Sequence, residues 1–378
     1  MQLFTPHIIN HKLRIQNHIM VPPIVTRLAT DEGFVTEALI ERYLLYAKGG
    51  AGIVVTEAVS VKKQKSGQLL RLNDDKYIRA FRELVKRVHE ESDAKISPQI
   101  IHFLKISRSG YRQKVEDLSL DEVREIPRLF ASAAYRARQA GFDAVELHFA
   151  HAYTMASFLS RHNMRNDGYG GSLKNRLRLA ADLVGATRKA VGSDFVIGAR
   201  INGDEFTSGG NSLKQSKAIA MHLAQSGLDY LSLSAGGKFE DAIPRQGESL
   251  DPYTGYSGLR TMPPHWMPEK VNVYLAAAIK ENLNKAGIKI PVITAGRIPT
   301  AKVAEDILQD NQADLVAIGR PILCDPSWPN KYKHGREGEI LRCIYCNKCR
   351  EAEGAYEKVT CFQWKRKDGS TLPPSQLF

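Results

Sequence analysis

The chain of 378 residues is 43% hydrophobic and 25% charged, a composition that excludes a disordered chain and a disulfide-stapled mini-protein. Its length fits two domains or one large α/β barrel with its own core. The net charge of +12 suits a phosphorylated substrate, an acidic partner or nucleic acid. Because the basic residues are spread along the chain without a recognised motif, we expect no nucleic-acid partner.

Targeting signals are absent from the sequence pattern. No apolar run approaches the ~20 residues that a membrane span needs. The first 20 residues carry Lys12 and Arg14 and contain no uncharged apolar stretch, unlike a secretory signal. We therefore expect a cytoplasmic protein without a membrane span.

Short apolar runs recur along the chain, and several follow a turn that ends a helix. Gly141 and Gly227 illustrate the pattern, because an Asp two residues later opens the next apolar run. In chain order the predicted strands are 18–21, 52–56, 95–101, 143–148, 195–201, 229–233, 290–295 and 314–319. Their near-continuous apolar character is typical of a buried parallel sheet.

Amphipathic segments between these runs predict helices. The segment after Ser119 has apolar residues at helical spacing, and Ser119 and Glu122 have the spacing of a capping box. Eight βα units predict an α/β fold of the (β/α)8 TIM barrel type, with a doubly wound parallel sheet as the alternative. No GxGxxG motif follows the first strand, which argues against a Rossmann dinucleotide site.

Two segments fall outside the eight units. Residues 2–15 contain two short runs separated by Asn10-His11, which predicts an N-terminal hairpin that closes the bottom of the barrel. The segment beyond the eighth strand contains a cysteine cluster. We therefore expect a barrel over residues 1–335 and a C-terminal cysteine-cluster extension over residues 336–378.

Polar residues at the strand ends are the candidate site, because a TIM barrel carries its active site after the carboxyl ends of its strands. Gly296-Arg297 and Gly319-Arg320 follow the seventh and eighth strands, where such barrels often bind phosphate. The glycines also fit ordinary turns. His148 and His151, after the fourth strand, fit hydrogen-bond donors, structural residues or metal ligands, although no third ligand is evident nearby.

The cysteines are concentrated near the C-terminus, and none occurs before residue 324. Cys343, Cys346, Cys349 and Cys361 have the spacing C-x2-C-x2-C-x11-C, which indicates a metal site. Zinc usually takes two CxxC pairs, whereas three crowded cysteines with a distant fourth favour a [4Fe–4S] cluster. Cys324 lies outside the pattern and is expected to be a buried structural thiol.

Six short motifs are distributed along the chain: 3–6 (LFTP), 17–20 (NHIM), 141–148 (GFDAVELH), 167–176 (DGYGGSLKNR), 202–206 (NGDEF) and 319–321 (GRP). Together they resemble the Old Yellow Enzyme family of FMN-dependent NAD(P)H:flavin oxidoreductases. The resemblance covers residues 1–335. Residues 343–349 are similar to the cluster loop of 2,4-dienoyl-CoA reductase and trimethylamine dehydrogenase, multidomain members of that family, which also implies [4Fe–4S].

The resemblance implies a role for individual positions. The matching flavin-binding positions are Pro22, Pro23 and Ala58 along the ring, Gln99 at the pyrimidine edge, Arg200 near N1, and Gly296, Arg297, Gly319 and Arg320 at the phosphate. His148 and His151 match the pair that binds the carbonyl oxygen of the substrate. Tyr153 matches a proposed proton donor.

The implied activity is that of an ene-reductase, which transfers hydride from reduced FMN to the activated C=C of an enone or enoyl thioester. The alternative is a flavin dehydrogenase or demethylase whose electrons leave through the cluster. A zinc-bearing binding protein is a third hypothesis. Relatives with the cysteine loop continue into FAD- and NAD(P)-binding domains, whereas this sequence ends at Phe378. NAD(P)H and an electron-donor protein are therefore both expected reductants, and an oligomer is compatible with the sequence.

Substrate identity is expected to depend on loops 103–118, 154–166 and 235–270. The last loop contains Tyr253 and Trp266 with several prolines. These residues suit either an ordered lid over the flavin or a packed surface loop.

Overall fold

Eight parallel strands close into a barrel in the computed structural model, which describes residues 1–63, 67–105, 112–243 and 251–364. The barrel strands are β3 (Ile19–Val21), β4 (Ile53–Ser60), β6 (Lys95–Ile101), β7 (Ala144–Phe149), β8 (Val196–Asn202), β9 (Tyr230–Ser234), β10 (Val292–Ala295) and β11 (Leu315–Ala317). Met20 closes the ring, because it pairs with Ile53 on one side and with Ala317 on the other. The predicted (β/α)8 barrel is confirmed, and each predicted strand overlaps an observed one.

Helices pack around the barrel. They are α1 (Glu37–Lys48), α2 (Ile78–Glu91), α3 (Leu120–Ala140), α4 (Thr154–Leu159), α5 (Leu173–Val191), α6 (Leu213–Gln225), α7 (Gly255–Thr261), α8 (Val273–Lys285), α9 (Ala301–Gln309), α10 (Arg320–Cys324), α11 (Trp328–Lys333) and α12 (Lys348–Gly354). The capping box of Ser119 and Glu122 is confirmed, and α3 ends at Gly141 with a left-handed φ of 92°. None of the helices in the described ranges combines the length and the apolar character that crossing a bilayer requires.

The N-terminal hairpin closes one end of the barrel, as the sequence predicts. Its strands β1 (His7–Ile9) and β2 (Leu13–Ile15) pair antiparallel. Ile9 and Ile15 are buried in an apolar cluster with Ile53 and other residues that begin barrel strands. The hairpin therefore fills the end of the barrel opposite the predicted site.

One strand was not predicted from the sequence. β5 (Leu70–Arg71) pairs Arg71 with Ser60, at the carboxyl end of β4 and outside the closed ring. Two residues are too few to give a recognisable periodic pattern, so only tertiary pairing defines this strand.

The C-terminal extension packs on loops that follow the barrel strands. The backbone N–H of Val359 donates to the carbonyl of Thr26 at 2.9 Å, and Arg42 donates to the carbonyl of Val359 at 2.9 Å. Trp364 is fully buried and its indole N–H donates to the carbonyl of Cys324 at 2.8 Å. Residues 365–378 of the predicted extension lie outside the described residues.

A buried carboxyl group lies where β4 bends. The pairing of β4 with β6 shifts register between Thr56 and Ala58, around Glu57. One carboxyl oxygen of Glu57 accepts the N–H of Thr26, while Oε1 has no hydrogen-bond partner within the described part of the chain. Burial raises the pKa of Glu57 to about 7.

We expect Glu57→Gln to remove part of the pH dependence of the unfolding free energy. Because the pKa is higher in the folded chain than in the unfolded chain, the native state binds the extra proton, and stability falls as pH rises through 7. The wild type should lose about 3 kcal/mol relative to the variant between pH 4.5 and 8. Urea unfolding across this range measures the difference. Glu90→Gln, at an exposed position of α2, is the control, and equal effects of the two substitutions would contradict the assignment.

Candidate active site

A cavity opens at the carboxyl ends of the barrel strands. The fold brings together here every residue that the sequence predicts for flavin binding or catalysis. These residues are Pro22, Pro23, Ala58, Gln99, His148, His151, Tyr153, Arg200, Gly296, Arg297, Gly319 and Arg320. Of the predicted cluster ligands, Cys349 also lines the cavity.

A buried polar network forms one wall of the cavity. Strand register places Gln99 opposite Glu146, and the Gln99 amide donates to Glu146 Oε1 at 2.8 Å. Arg200 donates to the hydroxyls of Ser232 and Ser234 at 3.2 and 3.3 Å. Burial raises the pKa of Glu146 and lowers that of Arg200, while the opposite charge of each partner counteracts the shift. The wall therefore offers a buried cation held beside a carboxyl group.

His148 is positioned by strand β7 and is almost completely buried. Its Nδ1 accepts the N–H of Ala150 at 3.3 Å, so Nε2 carries the proton in the neutral ring. Burial, assisted by the charge of Arg200, lowers the pKa of His148 to about 3. The ring is therefore a neutral donor at ordinary pH.

His151 lies on the turn after β7, with a left-handed φ of 58°. Its Nε2 shares a hydrogen bond with the Ser234 hydroxyl at 2.7 Å. Burial and the neighbouring His148 and Arg200 keep its pKa well below the ordinary value. Because the ring centroids of His148 and His151 are 5.2 Å apart, the cavity contains two adjacent neutral imidazoles.

Tyr153 precedes α4 and packs against the histidine pair. Its ring centroid is 5.1 Å from that of His148 and 5.3 Å from that of Phe103. Burial raises the pKa of the Tyr153 phenol, while the charge of Lys238 acts in the opposite direction. The phenol is therefore protonated and next to a cation.

An ion-pair group connects this region to the extension. Lys238 Nζ lies 2.8 and 2.9 Å from the two carboxylate oxygens of Glu353, and Arg27 lies 3.2 Å from the same carboxylate. The Lys238 ammonium is also 5.0 Å from the ring centroid of Tyr253. Because Glu353 belongs to α12, the cysteine-bearing segment supplies part of the cavity wall.

The predicted phosphate-binding turns contact the cysteine loop. The ring of Tyr345, between Cys343 and Cys346, lies between two guanidinium groups, with Arg297 4.6 Å and Arg320 4.7 Å from its centroid. Arg320 also donates to the side-chain oxygen of Asn347. The two predicted cofactor sites are therefore adjacent.

The cysteines of the extension interact electrostatically. Burial raises the pKa of Cys343 and raises that of Cys349 to about 11, with neighbouring cysteines acting in the same direction and Arg320 opposing them. Cys361 interacts with the thiol of Cys324, which is buried as predicted. No set of three or more His, Cys, Asp or Glu residues in the described ranges has the geometry for a single metal ion.

The cavity has the donor set that FMN requires. Buried polar atoms of Arg200, Arg297 and Tyr345 line it, and Nε of each arginine and the tyrosine hydroxyl have no partner among the described residues. At one predicted turn the backbone lies close to the cavity wall and leaves little room for a side chain, since a Cβ on Gly319 would lie 3.3 Å from Pro22 Cγ. Guanidinium groups at these turns suit a phosphate, and Arg200 with Gln99 suits the polar edge of a flavin ring.

Known sequences and a family profile match most of the chain. The profile of the NADH:flavin oxidoreductase / NADH oxidase family matches residues 2–117 and 105–339. The chain is 38% identical over 356 residues to NADH oxidase of Thermoanaerobacter brockii, covering 89% of this chain and 51% of the relative. It is 28% identical over 392 residues to cinnamate reductase of Clostridium sporogenes, covering 93% of this chain and 56% of the relative.

A further relative is named a dehydrogenase rather than a reductase. The chain is 29% identical over 389 residues to N,N-dimethylglycine/sarcosine dehydrogenase of Chromohalobacter salexigens, covering 96% of this chain and 52% of the relative. The chain thus spans about half the length of these three curated relatives.

The fold has a counterpart among solved structures. The complex of 2-naphthoyl-CoA reductase with 2-naphthoyl-CoA has a TM-score of 0.81 at 24% identity, covering 95% of this chain and 56% of that one. The barrel of this chain therefore has the fold of that structure. The chain belongs to the NADH:flavin oxidoreductase / NADH oxidase family, for which FMN and NAD(P)H are the expected cofactors.

The sequence did not predict two cavity residues, Glu353 and Tyr345, or Lys238, which pairs with Glu353. Glu353 follows Cys349 by four residues on one helix, so both side chains lie on the same face of that helix. This spacing could have indicated that both residues line the cavity. No local sequence pattern identifies Lys238 or Tyr345 as part of the site, because their roles depend on contacts with distant segments.

The predicted substrate loops are only partly described. Tyr253 lines the cavity, as an ordered lid requires, whereas Trp266 is 61% exposed. Residues 106–111 of loop 103–118 and residues 244–250 of loop 235–270 lie outside the described residues.

We expect neither histidine of the cavity to ionise near pH 6.5. Burial lowers the pKa of His148 to about 3 and that of His151 well below 6.5, so both rings stay neutral at pH 6.5 and above. A pH titration of the imidazole NMR signals tests the expectation. A transition near pH 6.5 that disappears in His148→Asn would show that His148 titrates.

Proposed function

We propose that this protein is an ene-reductase that reduces the activated C=C of an α,β-unsaturated carbonyl compound or thioester. The observation that carries the proposal is the pair of buried neutral imidazoles, His148 and His151, beside the protonated phenol of Tyr153 in one cavity. The cinnamate reductase relative supports the same reaction class.

The residues that would hold FMN come from several strand ends. Pro22, Pro23 and Ala58 offer an apolar surface to the ring, and Gln99 offers hydrogen bonds to its pyrimidine edge. Two turns would hold the phosphate, one at Gly296-Arg297 and one at Gly319-Arg320. Their backbone would contact the phosphate, and the two arginines would bind it by charge. Bound FMN, once reduced, supplies a hydride for the β-carbon of the alkene. Arg200 stabilises negative charge on the pyrimidine side of the ring.

The histidines act on the other end of the conjugated system. As the β-carbon accepts hydride, negative charge develops on the carbonyl oxygen of the substrate. His148 and His151 are neutral, and each can stabilise that charge by donating its ring N–H to the oxygen. Their burial strengthens each hydrogen bond, because little water competes inside the cavity.

Tyr153 completes the reduction by donating a proton to the α-carbon. The adjacent Lys238 stabilises the phenolate that remains, because a nearby cation favours the charged form. Glu353 holds Lys238 in place, and Arg27 pairs with the same Glu353 carboxylate. Solvent then restores the phenolic proton.

We also propose that Cys343, Cys346, Cys349 and Cys361 hold a [4Fe–4S] cluster. Their spacing and mutual electrostatic interaction support this ligand set. The four ligands of such a cluster bind different irons and stand further apart than ligands around one ion. A bound cluster would supply one-electron transfer. Because Cys349 lines the flavin cavity, it would lie on the direct route between the cluster and the flavin. In this proposal either NAD(P)H or an electron-donor protein reduces the enzyme.

The reverse direction is the second candidate function. The dimethylglycine/sarcosine dehydrogenase relative favours it. An amine substrate in the same cavity would give its hydride to the bound flavin, and the electrons would leave past Cys349. Assays with enones plus NAD(P)H, and with N-methyl amines plus a one-electron acceptor, distinguish the directions. Turnover of amines alone would replace our proposal with this one.

We expect His148→Ala and His151→Ala each to slow alkene reduction by about 10²–10³-fold, because each removes a donor to the developing oxyanion. Flavin content should be unchanged, since neither ring belongs to the proposed flavin contacts. Stopped-flow oxidation of the reduced enzyme by an enone gives the rate, and the flavin absorbance gives the content. His334→Ala, at an exposed site near the end of α11, is the control. Loss of metal and unfolding in both cavity variants would instead identify the histidines as metal ligands.

We expect Cys346→Ser to lower the iron content, because an oxygen donor holds iron–sulfur clusters poorly. Residues 343–361 should become protease-sensitive, since few apolar contacts would then order them, while FMN stays bound. Iron analysis and limited proteolysis measure these effects. Cys324→Ser, which replaces the cysteine outside the predicted ligand set, should keep its iron.

Activity of the Cys346→Ser variant identifies the electron route. Loss of turnover with a one-electron donor, while NAD(P)H-driven turnover survives, would support entry of electrons through the cluster. Survival of both activities would make the cluster structural and exclude the electron-transfer role.

A further inference from the structure

The turn that carries His151 has an unfavourable backbone conformation. His151 and Ala152 are consecutive left-handed residues, with φ of 58° and 57°. Residues with a Cβ rarely adopt this conformation, and two in succession require external support. His148 needs no such support, because strand β7 fixes it.

Contacts from outside the turn hold it in this conformation. The guanidinium of Arg112 donates to the carbonyl of Ala152 at 2.5 Å, and the Ser157 hydroxyl donates to the same oxygen at 3.1 Å. The N–H of His151 donates to Asn202 Oδ1 at 3.3 Å. Arg112 is the charged member of this set, and charge-assisted hydrogen bonds are the stronger ones.

Arg112 is itself fixed by the loop after β9. Its guanidinium pairs with Glu240 Oε1 at 2.5 Å and lies 5.9 Å from the ring centroid of Phe239. The arginine therefore joins three segments: the loop before α3, the turn after β7 and the loop after β9. It lines a neighbouring cleft rather than the flavin cavity, so it reaches the substrate only through the turn.

We propose that Arg112, held by Glu240, is a positioning residue that maintains the left-handed turn and thereby directs His151 toward the carbonyl oxygen of the substrate. This inference rests on the proposed role of His151. It assigns to a residue outside the cavity a part in alkene reduction, and it predicts that the effect of Arg112 disappears when His151 is absent.

The test uses the flavin-loaded enzyme and 4-hydroxybenzaldehyde, a phenol whose phenolate oxygen takes the place of the substrate oxygen. Binding is measured by the long-wavelength absorbance of the phenolate–flavin complex. We expect Arg112→Met to weaken binding by about tenfold, because the donor is displaced rather than lost. Flavin content should not change. Arg138→Met is the matched control, since Arg138 also bonds a backbone carbonyl and an acidic side chain, those of Val191 and Asp194.

Two double variants separate positioning from a general structural role. In Arg112→Met/His151→Ala, binding should equal that of His151→Ala alone, because the two residues act through one contact. In Arg112→Met/Ala152→Gly, binding should recover, because glycine adopts the left-handed conformation without a Cβ clash.

Each remaining outcome overturns a defined statement. Additive losses in the first double variant, or no recovery in the second, would show that Arg112 does not act through the turn. Absence of phenolate binding in the wild type would overturn the proposed role of His151 and this inference together. A normal wild-type signal with additive losses would overturn the inference alone.

Discussion

Closure of the parallel barrel is the constraint on which the site depends. Every strand in a closed parallel ring ends at the same face of the barrel. Residues far apart in sequence therefore converge there without a separate contact to bring each pair together. The register that places Gln99 beside Glu146 is part of that ring, as is Met20 between its two neighbouring strands. The N-terminal hairpin fills the opposite end with apolar side chains, which leaves the carboxyl face for chemistry.

Burial then gives these converged groups their chemical character. Removal from water lowers the pKa of His148 and raises that of the Tyr153 phenol, so the same effect produces neutral imidazole donors and a protonated acid. Arg200 stays cationic beside Glu146, because a buried charge requires a partner. Burial thus accounts for the neutral imidazole and the protonated phenol, whereas Glu146 opposes its effect on Arg200.

The sequence predicted the strands and the strand-end residues, because both follow from local patterns. Apolar runs mark buried strands, and the residues at the end of each run lie at the functional face, which is how His148 and Gly319 could be placed, whereas Arg200 was assigned through the family resemblance. Lys238, Tyr345 and Arg112 could not be found in this way. Tyr345 gains its position from arginines on two other turns, and Arg112 from a distant carbonyl. Such contacts have no local periodicity, and their partners are set by tertiary packing alone.

The hairpin that fills the far end of the barrel has a kinetic consequence. With one end closed, the mouth at the carboxyl face is the shared entrance to the cavity for any small molecule that must touch the flavin ring. In the proposed function, a nicotinamide reductant and an alkene substrate would occupy the same space in turn, which would give ping-pong kinetics with mutual competitive inhibition. Electrons from the proposed cluster that arrive at Cys349 would avoid this competition, so an enzyme supplied by that route could be reduced while its product is still bound.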